Sequence, residues 1–355
     1  MHALNLARYK SCIRYHDLAG SDVTCIFIHD LGSSSSADFS EVVAEPPLRG
    51  YRSILIDLLG FGFSDRPETF SYSLQAHAQT VETLLKTLGL SQCVVVGHGL
   101  GGSVGVLVAT FSPEHVGAVI CAEAILEPGP KKGRNAALSQ LIATQSEAAF
   151  IATGFPELVA DSRREQSVYA GSLQHAAPYA LHRTSVSLET YEEPTIYDRF
   201  LGLSTPRAYI IGETSLQEKV MAIRADSLRA EGITVAIAPG VGHSMGLGKN
   251  PSTFAAVVGS TLKDALQHSS TSTTYSNRAR RRYAIDKSMK ARWQATKIGQ
   301  PQCDCVPGMF GKFTPHKPIV SDSGPRITAR TVNLRIPNSV RASRLTWNAS
   351  IAPSM

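Results

Sequence analysis

Residues 93–104 read Cys93-Val94-Val95-Val96-Gly97-His98-Gly99-Leu100-Gly101-Gly102-Ser103-Val104. Three β-branched residues in succession favour a buried strand, and the glycines that follow permit a sharp reversal with close backbone approach. The small apolar residues after them suit a helix packed tightly against the strand it leaves. The stretch therefore predicts strand, tight turn and helix, with Gly99 at the apex of the turn and the helix running from about Gly102 to Thr110.

Working outward, the same alternation recurs. Lys10–Tyr15 and Val23–Ile28 are β-rich runs joined through a Gly20-Ser21-Asp22 turn, and Arg14-Tyr15-His16-Asp17 reads as the first antiparallel strand. Tyr51–Asp57 is the next strand, followed by Leu58-Leu59-Gly60-Phe61-Gly62-Phe63-Ser64-Asp65-Arg66-Pro67, whose glycines allow a tight loop. Ser73–Leu88 carries helical apolar spacing, with Gly89 as its cap. Val116–Ala122, Pro206–Ile211 and Ile233–Ala238 complete the strands, and Pro251–Leu266 is an amphipathic closing helix. Strands alternating with helices predict a mostly parallel sheet of eight-strand type with helices on both faces.

The turn resembles the nucleophile elbow of the α/β-hydrolase family, Gly-x-Ser-x-Gly, with Gly99 where the family has serine. The loop Ile28-His29-Asp30-Leu31-Gly32 resembles that family's His-Gly-x-Gly stretch, with Asp30 in place of the first glycine. The Asp-x-x-Gly-x-Gly-x-Ser-Asp-x-Pro pattern from Asp57 to Pro67 is also characteristic of the family. The likeness covers roughly residues 10–268 and points to the capped branch, whose elbow reads Ser-Met-Gly-Gly.

The resemblance implies an α/β core over 1–127 and 202–268 and a helical cap over 128–201. Within the cap, Ala136–Thr153, Phe155–Ala170 and Pro178–Thr190 look helical, and Gly129–Gly133 reads as a hinge. Tyr169, Tyr179, Phe150 and Phe155 are candidates either to line a pocket or to pack the cap on itself.

The family's chemistry needs a nucleophile, an acid and a histidine in that chain order. His243, in Gly240-Val-Gly-His243-Ser-Met245, matches the histidine. Glu123, at the end of Val116–Ala122, is the favoured acid, and Glu213 the alternative. The Leu31 and Leu100 N–H groups match the oxyanion hole. Asp30 beside that hole is electrostatically unfavourable unless its side chain turns away. Gly99 has no side chain and cannot form an acyl-enzyme. Ser103 lies one helical turn on and faces away from the apex, and His98 packs beside the site. The expectation is a carboxylic-ester hydrolase type acting on a small molecule, with hydrolysis lost or residual. Two alternatives are a lyase- or cyclase-like enzyme using a His243–carboxylate general base, and a small-ligand binding protein.

Composition bounds the rest. The 355 residues are 43% hydrophobic, ordinary for a globular protein. Residues 270–355 carry 15 Lys and Arg against 3 Asp and Glu, leaving 20 against 26 in residues 1–269. The sequence pI of 9.0 therefore belongs to the tail, and the core gives no support for nucleic-acid binding. Ser269–Thr274 is a low-complexity linker, and 269–355 reads as a basic disordered tail. Six cysteines are too few for a disulfide framework, and Cys303-x-Cys305 lacks the further ligands a structural zinc needs. No metal or cofactor is expected. The lack of a signal peptide or membrane-spanning run makes a cytosolic protein the default.

Overall fold

A computed structural model describes residues 1–128, 138–165, 167–190, 192–245 and 251–271. Eight strands form one sheet: β1 His2–Leu6, β2 Ser11–Leu18, β3 Ser21–Ile28, β4 Tyr51–Asp57, β5 Cys93–His98, β6 Val116–Ala122, β7 Arg207–Gly212 and β8 Thr234–Ala238. Their spatial order is β1-β2-β4-β3-β5-β6-β7-β8. The β1–β2 and β2–β4 pairs are antiparallel, and every pair from β4–β3 to β7–β8 is parallel.

The first strand differs from the expectation. It is His2–Leu6, which pairs with Ser11–Leu18 through a register that sets Leu4 opposite Ile13. Its pairing is confined to one neighbour, and only Leu6 of its five residues is buried, so the apolar signal in the sequence is thin.

The central strands are buried on both faces, as a parallel sheet covered by helices requires. Along β5, Val95 joins one apolar cluster while Val94 and Val96 join the other. On one face, Val81 and Leu84 of the Leu74–Thr87 helix pack with Val104 and Val108 of the Leu100–Phe111 helix. On the other, Phe254, Val258 and Leu262 of the Pro251–Thr271 helix meet Phe27, Val94 and Ile120. The Ser73 hydroxyl caps the Leu74–Thr87 helix by accepting from the Ala76 N–H.

The helical insertion spans Leu138 to Gly202, with its longer helices at Phe155–Arg164, Pro178–Glu189 and Ile196–Gly202. It is fastened to the loop after β4. The Ala177 N–H donates to the Gly60 carbonyl, Tyr179 Oη–H donates to the Arg66 carbonyl, and Arg66 donates to the His175 carbonyl. A Cβ at Gly60 would stand 2.4 Å from that of Ala180, so this contact requires glycine. The expected hinge at Gly129–Gly133, the pair Cys303 and Cys305, and the tail from 272 onward lie outside the described residues. The closing helix runs to Thr271, past the expected end at Leu266. No helix among the described residues is long and apolar enough to cross a membrane.

Candidate active site

The carboxyl ends of β3, β5 and β6 and the loop after β8 converge on one point. Gly99 joins β5 to the Leu100–Phe111 helix with φ +48° and ψ −113°, a conformation that L side chains rarely adopt. The flanking glycines are fixed by backbone. A Cβ on Gly97 would lie 2.3 Å from the Gly101 oxygen, and one on Gly101 would lie 2.0 Å from the Ile28 oxygen. Gly99 is different, because what a Cβ would meet there is a side chain. Asp30 Oδ1 lies 1.7 Å from that position and its Cγ 2.2 Å.

Asp30 has turned into the site. Its Oδ1 accepts the Leu100 N–H at 2.9 Å, and its Oδ2 accepts from His243 Nε2 at 2.9 Å. His243 Nδ1 donates to Glu123 Oε2 at 2.7 Å, and Glu123 Oε1 accepts the Gly212 N–H at 2.8 Å. The histidine is thus held between two carboxylates, each of which also accepts a backbone N–H. The side chain does not turn away, and the reason that the carboxylate is tolerated there is electrostatic. A cationic imidazole and an N–H dipole together compensate the buried charge.

Glu123 and His243 are brought together. Glu123 is buried at the end of β6 with φ +43°, a strained setting that its two hydrogen bonds hold in place. Glu213 is not part of the group. Its carboxylate accepts the Gly240 N–H at 2.7 Å and caps the turn after β8. Leu31 is buried in the loop beside Asp30, but the Leu100 N–H, matched with it to an oxyanion hole, is already engaged by Asp30. Ser103 faces away, its hydroxyl donating to the Ile125 carbonyl.

Burial pushes the Asp30 and Glu123 carboxyls up. Their hydrogen bonds to His243 and its charge outweigh that, and both are held below the usual carboxylate range. Burial pulls His243 down, but the two carboxylates outweigh it and raise its pKa well above the ordinary histidine value. At neutral pH the resting site therefore holds an imidazolium that donates through both nitrogens.

Four further side chains surround this core. His98 is 2% exposed, its ring centroid lies 4.8 Å from that of His243, and its Nε2 has no hydrogen-bond partner among the described residues. Burial lowers its pKa, leaving it neutral. Of the cap aromatics, Phe150 and Phe155 pack on one another, whereas Tyr169 reaches the site. Its buried hydroxyl is unpaired by hydrogen-bond geometry. Burial, then the charges of Asp30 and Asp38, raise its pKa, with Ser244 near enough to oppose them. Asp38 bonds to the Ser33 hydroxyl, and burial pushes its carboxyl up to about 8. His29 Nδ1–H donates to the Asp30 carbonyl while its Nε2 accepts the Leu58 N–H, which ties the Asp30 loop to the one after β4. Asp38 carried no signal in the sequence, since it acts through a loop contact that no spacing encodes, whereas His29 stands at the histidine of the stretch that resembles His-Gly-x-Gly. The cleft lined by Leu107, Ile125, Glu127, Pro194 and Arg199 lies under the insertion and includes none of Asp30, Gly99 or His243.

The elbow, the sheet order and the inserted helices coincide with a match of residues 25–199 to the α/β hydrolase fold family. The chain has the α/β-hydrolase fold. It is 27% identical over 239 residues to 2-(acetamidomethylene)succinate hydrolase from Mesorhizobium japonicum, covering 63% of this chain and 82% of that protein. A shorter stretch of 67 residues is 43% identical to epoxide hydrolase 3 of Xenopus tropicalis, covering 19% of this chain and 17% of that protein. The fold also superposes on a solved carboxylesterase structure from the thaumarchaeon Nitrososphaera gargenis, with a TM-score of 0.60 at 15% identity, covering 76% of this chain and 99% of the other.

Proposed function

We propose that this chain is of the carboxylic-ester-hydrolase type with serine-based hydrolysis lost. Gly99 stands at the nucleophile position, and the capped site is kept for a small molecule. The observation that carries this reading is the position of Asp30. Its Oδ1 lies 1.7 Å from where the first side-chain atom of a residue at 99 would be, and it accepts the Leu100 N–H.

Acyl transfer needs an attacking oxygen, a base to take its proton and donors for the oxyanion. Glycine supplies no attacking oxygen. His243 donates through both nitrogens and carries a proton it must first lose, so it is no base in the resting site. An ester carbonyl oxygen entering beside Leu100 meets a carboxylate oxygen where the reaction needs a donor. The same features speak against a resting His243–carboxylate general base. Hydrolysis of an amide-bearing succinate, as the relative's name describes, would bring further negative charge to two buried carboxylates.

The test is direct. A serine-directed fluorophosphonate probe should leave the full-length protein unlabelled, and short p-nitrophenyl esters should turn over at the rate of buffer alone. Ester turnover well above background that is abolished by His243→Ala would overturn the proposal.

A further inference from the structure

We infer that Asp30, His98 and His243 form a binding site for a single divalent transition-metal ion of the kind that imidazole favours, such as Zn²⁺. The inference goes beyond the loss of serine chemistry and holds whether or not the site turns over a substrate. One potential ligand atom from each of the three residues lies within 4.8 Å of the other two. A four-coordinate zinc with bonds of about 2.0–2.2 Å sets its ligand atoms roughly 3.3–3.6 Å apart, so modest ring and carboxylate rotations close the site.

Three independent observations point to a cation. First, the Nε2 of His98 is buried without a partner beside this cluster. An unpaired buried nitrogen in that position is costly, and coordination would satisfy it. Second, two buried carboxylates, Asp30 and Glu123, converge on the one imidazole of His243. A dication held at Nε2 of a neutral His243 balances both of them. Third, Glu123 already accepts from His243 Nδ1 at 2.7 Å. That is the carboxylate–histidine arrangement that orients metal-bound imidazoles. Three protein ligands leave at least one coordination position for water or a small ligand beneath the cap. The ligands come from three separate segments, after β3, at the end of β5 and after β8, so no spacing along the chain marks them.

The test uses the full-length protein stripped with a chelator, carrying Cys303→Ser and Cys305→Ser so that those thiols cannot contribute. Titration calorimetry with Zn²⁺ should show one ion per chain, and Mg²⁺, a hard cation, should not compete. Co²⁺ should give the visible absorption of an imidazole-ligated site. Asp30→Asn and His243→Gln, both close in shape to the originals, should each weaken Zn²⁺ binding at least about 100-fold. Glu123→Gln, acting through His243, should weaken it about 10–100-fold while keeping the Co²⁺ bands. Circular dichroism of each variant separates lost ligands from lost fold, and one folded ligand variant suffices. Absence of Zn²⁺ binding, or affinity within about threefold of the parent in a folded Asp30→Asn or His243→Gln protein, would overturn the inference.

Discussion

Replacing Gly99 by serine tests the geometry at its tightest point. The new Cβ would stand 1.7 Å from Asp30 Oδ1 and 2.2 Å from its Cγ, so the Asp30 side chain must leave. Leaving breaks its contacts to the Leu100 N–H and to His243, both at 2.9 Å. Hydrogen bonds to charged groups contribute about 1.5–3 kcal/mol each. A side chain at φ +48° adds a backbone strain of about 1–3 kcal/mol. The sum, roughly 4–9 kcal/mol, is a large part of an ordinary folding stability of about 5–15 kcal/mol. For a core of this size that corresponds to a fall in Tm of at least about 8 °C. Adding Asp30→Gly removes the obstruction and frees the Leu100 N–H, leaving the strain alone, so the double variant should recover most of the loss. The chemistry should follow the same order. In serine hydrolases, loss of the nucleophile costs on the order of 10⁶ in turnover. Hydrolysis of p-nitrophenyl esters should therefore emerge in Gly99→Ser with Asp30→Gly and be absent from Gly99→Ser alone. The assays are differential scanning calorimetry and ester turnover on the parent and the two variants. A Gly99→Ser protein that melts with the parent would refute the placement of Asp30, and equal activity in the single and double variants would refute its blocking role.

Three further outcomes are expected. In the metal-free protein, His243 should titrate above the ordinary histidine value of about 6.5 by ¹⁵N NMR, and Asp30→Asn should bring its titration down toward that value. Because its folded pKa is raised, the stability it contributes is complete below about pH 6.5 and is lost as pH rises through the folded value; a midpoint at or below 6.5 in the parent would contradict the two-carboxylate clamp. Asp38, pushed up to about 8 by burial from about 3.9 in the unfolded chain, binds its proton more tightly when folded. Parent stability relative to Asp38→Asn, measured by urea denaturation, should therefore decline between about pH 4 and 8, by up to about 1.4 kcal/mol per pH unit, and a flat difference would rule out a protonated Asp38. Gly101→Ala should abolish soluble folded protein, since its Cβ would meet the Ile28 oxygen at 2.0 Å, whereas Gly171→Ala, with nothing within 4 Å, should be neutral or slightly stabilising; comparable expression and melting of the two would contradict the close approach at the elbow.

Much of the fold was legible in order along the chain. The valines of β5 and the glycines around residue 99 announce strand, turn and helix, because β-branching and left-handed backbone are properties of individual residues. The position of His243 after β8 and the choice of Glu123 at the end of β6 followed from the same strand-and-loop reading together with the family likeness. The strand His2–Leu6 escaped it because an edge strand with one buried residue carries almost no apolar alternation.

What only tertiary structure decided is how Asp30 and Gly99 meet. They are far apart in sequence, and nothing in either stretch read alone points to the other. The pairing of β3 with β5 brings the ends of those strands side by side, and the space that Gly99 leaves open receives the carboxylate of Asp30. The direction that side chain takes depends on charge and room supplied by His243 and Leu100. Sequence patterns record the backbone path because it depends on each residue's own conformational preferences. Which side chain fills a void is settled across the sheet, between residues whose proximity exists only after folding.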